Sequence, residues 1–259
     1  MSASAAAAAL ILSATLAGQT PPALPSESSP SAAPASDAAR IEGRVLELSN
    51  DFRRRNGLSA LRPDPALTAA ARAFAAYLAR TGRFAHDADG GGPGERAQAA
   101  GYAYCEVAEN LSTETSVVAL TPERRAADAM QGWTTSPGHR RNLLLARAVD
   151  TGVGAASSPG APQVVVQLFG QPRSARYSFQ VLNDSDWRVS YAMGPALFRS
   201  EPHTRTTHTS CDPKTIVFNL GGGNAPRRQV QAGAVYRVEP DATGALALDV
   251  QAAESTPGP

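Results

Sequence analysis

The sequence predicts an α+β protein: a three-layer α-β-α sandwich followed by a small all-β domain. Three observations point there. Apolar residues recur at helical spacing in several segments between residues 41 and 144. Runs of strand character, 107–113, 151–157 and 163–169, fall between and after those segments. Beyond Pro172 the apolar period changes to two, with turn residues between short runs.

Each element has a local reason. Ile41, Val45, Leu48 and Phe52 share one helix face, which ends at Asn56-Gly57. Asp64-Pro65 is an N-cap followed by proline at the first helical position. It opens a second helix with Leu67, Ala71, Phe74 and Leu78 on one side, stopped by Thr81-Gly82. Asp87 to Gly94 holds four glycines and reads as a flexible loop; no lysine follows at P-loop spacing. Glu95 to Gly101 is a short helix or turn. Thr121-Pro122 repeats the cap and opens a helix carrying Ala126, Met130 and Trp133. Ser136-Pro137 opens a fourth, short helix with His139 in its first turn. In the second half Tyr177, Phe179 and Val181 alternate, then Val189, Tyr191 and Met193, then Ile216, Phe218 and Leu220, then Leu246, Leu248 and Val250. His203 and His208 read as surface residues of this β region.

The organisation along the chain is then a signal-like segment (1–20), a Pro/Ala/Ser linker (21–40), the sandwich (41–172), a small β domain (173–251) and a tail (252–259). Ala3 to Leu16 is an apolar run with small residues after it, as in a secretory leader, although no Lys or Arg precedes it. Secretion follows, to the periplasm or the exterior of a bacterium, with no transmembrane span in the mature chain. Of 259 residues, 24 are basic and 23 acidic, with no long basic run. Nothing in this balance argues for nucleic acid or an anionic membrane as a partner, and no nucleic-acid partner is expected. The two cysteines, Cys105 and Cys211, are a single available pair. An oxidising compartment favours a disulfide between them, and two buried free thiols are the alternative.

Five short motifs stand in a fixed order: Phe84-Ala85-His86, Ala108-Glu109-Asn110-Leu111, the run from Trp133 through Ser136-Pro137-Gly138-His139 to Leu144, Thr151-Gly152-Val153-Gly154, and Gln167-Leu168-Phe169-Gly170. Together they resemble the CAP superfamily of cysteine-rich secretory proteins, antigen 5, pathogenesis-related-1 proteins and their bacterial relatives, over Ile41 to Gly170. The resemblance implies the same sandwich. It also implies that His86 and His139 face one cleft with a carboxylate, Glu109, beside them. Many relatives carry a second glutamate where this chain has Ser136, so the acidic set is reduced.

Two imidazoles converging on one point suit a divalent cation, zinc first, and a set of two protein nitrogens should hold it weakly. Glu109 would bond a histidine or a metal-bound water, and would be the base if the protein were an enzyme. Ser136, Asn110 and Trp133 would line or support the cleft. Three functions follow from this reading. The first is a secreted module binding a ligand or envelope component, lipid among them. The second is a weak metal-assisted hydrolase in the same cleft. The third is a structural envelope protein whose histidines only hold the cleft together.

Overall fold

A computed structural model describes residues 36–114, 120–159, 162–223 and 225–252. The leader-like segment, the linker up to residue 35 and the last seven residues lie outside that set. Helix α1 spans Asp37–Arg55 and is capped by Ser36, so it begins four residues inside the stretch read as linker. Strand β1 (Arg62–Pro63) is followed by α2 (Pro65–Thr81), whose cap Asp64 accepts from the Leu67 amide as its sequence requires. Helix α3 (Pro93–Ala99) and strand β2 (Tyr104–Glu114) follow. Next come α4 (Pro122–Thr135), α5 (Pro137–Leu143), β3 (Asp150–Ala156) and β4 (Gln163–Pro172).

The four strands form one sheet in the order β1-β3-β4-β2. Strand β4 pairs antiparallel with both neighbours, and the two-residue β1 runs parallel to β3. Alternation along β4 divides the core. Val164, Val166 and Leu168 pack with α2 and α3 on one face. Val165 and Phe169 pack with α1, α4 and α5 on the other, which completes the three layers. The glycines of β3 have a steric cause: a Cβ on Gly152 would overlap the backbone of Leu67 and Thr68, and one on Gly154 that of Ala71 and Arg72. Helix α2 therefore lies directly on the strand.

Arg53 is a second determinant, and nothing in its sequence context announces it. Its side chain is buried at the end of α1. The guanidinium donates to the carbonyls of Ser59 (2.9 Å), Leu143 (2.9 Å), Leu145 (3.0 Å) and Ala148 (3.2 Å). These acceptors include the last carbonyl of α5 and the loop after it, where orphan C=O groups concentrate negative partial charge. Burial pulls the Arg53 pKa below its ordinary value.

After Pro172 two four-stranded sheets enclose a separate core of Phe179, Val181, Val189, Tyr191, Ile216, Phe218, Tyr236 and Val238. Strands β5 (Tyr177–Asn183), β8 (Thr204–Ser210), β11 (Val235–Pro240) and β12 (Leu246–Gln251) make one sheet, ordered β12-β11-β5-β8. Strands β6 (Val189–Met193), β7 (Ala196–Ser200), β9 (Thr215–Asn219) and β10 (Arg227–Gln229) make the other. Strands β7, β8 and β10 escape the period-two reading because their inward positions are not regularly apolar; β11 does alternate, with Tyr236 and Val238 inward. Cys105 and Cys211 are joined, with Cα atoms 5.7 Å apart across 106 residues. Closing a loop of that size stabilises by up to about 4–5 kcal/mol in the chain-entropy picture. Arg147 reinforces the tie through Glu106 (2.9 Å) and Asp212 (2.7 Å).

His208 corrects the surface reading. It is half-buried between the two sheets, stacked on Phe179 at 5.1 Å and edge-on to Phe198 and Tyr191. Its Nε2 lies 2.7 Å from the Tyr191 hydroxyl. Burial lowers its pKa. The unfolded chain thus binds the proton more readily, and stability is lost as pH falls below about 6.5 toward the lowered folded value. In urea unfolding between pH 7.5 and 5, His208→Gln should flatten part of the pH slope of the wild type. An unchanged slope would show that the ring titrates freely in the folded state. His203 does sit at the surface, its Nε2 3.0 Å from Asp186 Oδ1.

Candidate functional site

Strand β2 is the edge of the first sheet, and the site forms around it. Successive side chains on the strand point to opposite layers. Glu109 faces α3 and the loop before it, whereas Asn110 faces α5. His86 reaches β2 from the loop between α2 and α3, and His139 from α5 on the other side.

The Glu109 side chain is 1% exposed, and both of its oxygens are engaged. Oε1 lies 2.8 Å from His86 Nδ1, and Oε2 accepts from Arg96 Nη2 at 2.8 Å. Each oxygen of the carboxylate thus has a partner, one on the His86 ring and one on the Arg96 guanidinium. Asn110 Nδ2 donates to the His139 carbonyl at 3.1 Å. Asn142 Nδ2 donates to Asn110 Oδ1 and to the Glu109 carbonyl, both at 3.0 Å. Trp133 Nε1 donates to the Leu111 carbonyl at 2.9 Å. Side chains from α4 and α5 thus cover the outward carbonyls of an edge strand that would otherwise be open.

His139 is half-buried. Burial first, and the nearby His86 second, lower its pKa, which keeps the ring neutral near pH 7. Ser136 stands between α4 and α5 as the cap residue of α5, but among the described residues its side chain makes no capping hydrogen bond. Asp87, Glu95 and Glu106 do not replace the missing acid. Glu95 Oε2 accepts from the Gly92 amide at 2.7 Å, Glu106 pairs with Arg147, and among the described residues no hydrogen bond or ion pair joins the Asp87 side chain to either histidine. Nor do the described residues hold a group of three or more His, Cys, Asp or Glu side chains placed for a metal ion.

Two residues of the site were not singled out in the sequence. Asn142 lies inside the motif that names His139, and its position one turn later on α5 is a usable signal. Arg96 has no such signal. Its side chain is 10% exposed, and its Nη1 donates to Asp89 Oδ1 and the Gly91 carbonyl, both at 2.8 Å. These bonds tie the glycine-rich loop, a succession of turns, to α3. Tyr102 is core: its hydroxyl donates to Asp150 at 3.0 Å.

Residues 46–169 match the model of the CAP, or cysteine-rich secretory protein, family. The uncharacterized protein YkwD of Bacillus subtilis (strain 168) is 30% identical over 120 residues, 46% of this chain and 44% of its own length. The chain therefore spans less than half the length of that relative. Among solved structures, an extracellular protein containing an SCP domain from Bacillus anthracis str. Ames aligns with a TM-score of 0.44 and 25% identity, over 52% of this chain and 41% of that one. An outer surface protein from Borrelia burgdorferi aligns with a TM-score of 0.47 and 17% identity, over 54% of this chain and 97% of that one. The ordered motifs and the matched family model agree with the helix–sheet–helix layering, and the segment 46–169 is a domain of the CAP, or cysteine-rich secretory protein, type.

Proposed function

We propose that the protein is a secreted binding module that takes a ligand or an envelope partner at the His86–His139 site. The double commitment of the Glu109 carboxylate carries this reading. A metal-assisted hydrolase of the kind the motifs suggest needs that carboxylate as its base. Here it is buried, paired with an arginine and spent on orienting His86. Export is supported by the leader-like N-terminal run and by the Cys105–Cys211 bridge, which an oxidising compartment maintains. Among the described residues no helix is long and apolar enough to cross a membrane. The strands after Pro172 serve as a companion domain that holds or targets the first. A divalent cation would rest on His86 and His139 alone, and weakly for want of a third protein ligand.

A second reading rests on one observation. A carboxylate holding an imidazole by Nδ1 is also the base half of a hydrolytic triad, with His86 as the base. No serine, threonine or cysteine side chain lies within hydrogen-bond reach of His86 among the described residues, so the nucleophile would have to be water.

The test pairs binding with turnover. Labelled mature protein is titrated onto isolated bacterial cell walls and, separately, onto phosphatidylglycerol vesicles, and the same preparations are assayed on ester and peptide substrates with and without zinc. Binding to either surface should weaken at least tenfold in the double variant His86→Ala/His139→Ala. Equal binding by wild type and variant would overturn the proposal. Turnover lost in His86→Ala would establish the second reading.

A further inference from the structure

His86 is held at both ends by one network. Its ring Nδ1 lies 2.8 Å from Glu109 Oε1, and its carbonyl accepts from Arg96 Nη2 at 2.9 Å. The same Nη2 donates to Glu109 Oε2 at 2.8 Å. Backbone, guanidinium, carboxylate and ring thus close a loop, and turning the imidazole breaks a member of it. Arg96 is itself fixed. Its other terminal nitrogen bonds Asp89 and Gly91, and its guanidinium lies 3.5 Å over the Phe74 ring.

The polarity of this network runs one way. A guanidinium offers donors and no acceptor, and a carboxylate accepts with both oxygens. Facing such a carboxylate, Nδ1 of a neutral ring must be the donor. The lone pair then belongs to Nε2, at the far side of a ring whose side chain is 54% exposed. We infer that Arg96 is the positioning residue of the site: it fixes His86 with Nδ1–H inward and the Nε2 lone pair outward. The site therefore takes a ligand group that donates a hydrogen bond, a hydroxyl, amine or ammonium. This ligand class rests on the binding proposal above; the tautomer does not.

Imidazole 15N shifts of the full, ligand-free chain test it in weakly alkaline buffer, with His86 assigned by the signals missing from His86→Gln. Wild type should carry its proton on Nδ1. In Glu109→Gln, Arg96 captures the amide oxygen and leaves the NH2 facing His86, so the proton should move to Nε2. The double variant Glu109→Gln/Arg96→Met leaves no buried charge and no fixed polarity, and should show both tautomers. A wild-type proton on Nε2 would overturn the inference without any variant. So would a double variant as fully switched as Glu109→Gln. Failure of the surface-binding assays alongside these shifts would refute the binding proposal and leave the role of Arg96 standing.

Discussion

Replacing Gly152 by alanine should lower the free energy of unfolding by about 3 kcal/mol or more, at the upper end of what overpacking costs. The added methyl group meets main-chain atoms of Leu67 and Thr68, which no rotamer change can move. Gly154→Ala should act alike, one helical turn further along α2. The two sites match geometrically: two residues of strand advance about 6.8 Å, and the four residues from Leu67 to Ala71 rise about 6 Å along a helix. Either substitution must lift α2 from β3 and open the core that the helix shares with β4. Gly43→Ala, at an open position inside α1, should have the opposite sign and stabilise by about 0.5–1 kcal/mol. Urea unfolding of the three variants checks the contrast. If Gly152→Ala unfolds at the wild-type midpoint, α2 does not rest on the strand.

Arg53→Met should cost about 3–5 kcal/mol, because four carbonyls lose their donor and two of these bonds are fully buried. Arg53→Lys keeps the charge, but a compact ammonium cannot span the positions a planar guanidinium fork serves, so it should recover only part of the loss. The effect should reach the site. Arg53 fastens the end of α5, and α5 carries His139 and Asn142. Amide exchange in 137–145 should rise in Arg53→Met before global unfolding does. Equal protection in both proteins would mean that α5 is held from β2 alone.

Much of the first domain can be read from its punctuation. Asp64-Pro65 and Thr121-Pro122 open helices at those residues because cap and proline act through their own backbone. His86, Glu109 and His139 are findable because the motifs fix their order. What stays hidden depends on distant partners. Arg53 and Arg96 look like solvent-facing arginines until the carbonyls and the carboxylate that bury them arrive from residues 59, 109 and 143–148. His208 sits in the polar run Thr204–Ser210, and only Tyr191 and Phe198 on the facing sheet draw it inward. The glycines of the loop before α3 give no sign of the bonds that Arg96 makes to Asp89, Gly91 and His86.

The bond between Cys105 and Cys211 makes the chain from one to the other a covalent circle. Glu109, Asn110, Trp133, His139 and Asn142 lie inside it, as do α4, α5, β3 and β4. A protease that cuts one peptide bond within the circle leaves the fragments attached. His86 and Arg96 lie before Cys105, outside the circle. One half of the site therefore survives a nick as a linked unit, while the other depends on an uncut thread between α2 and β2.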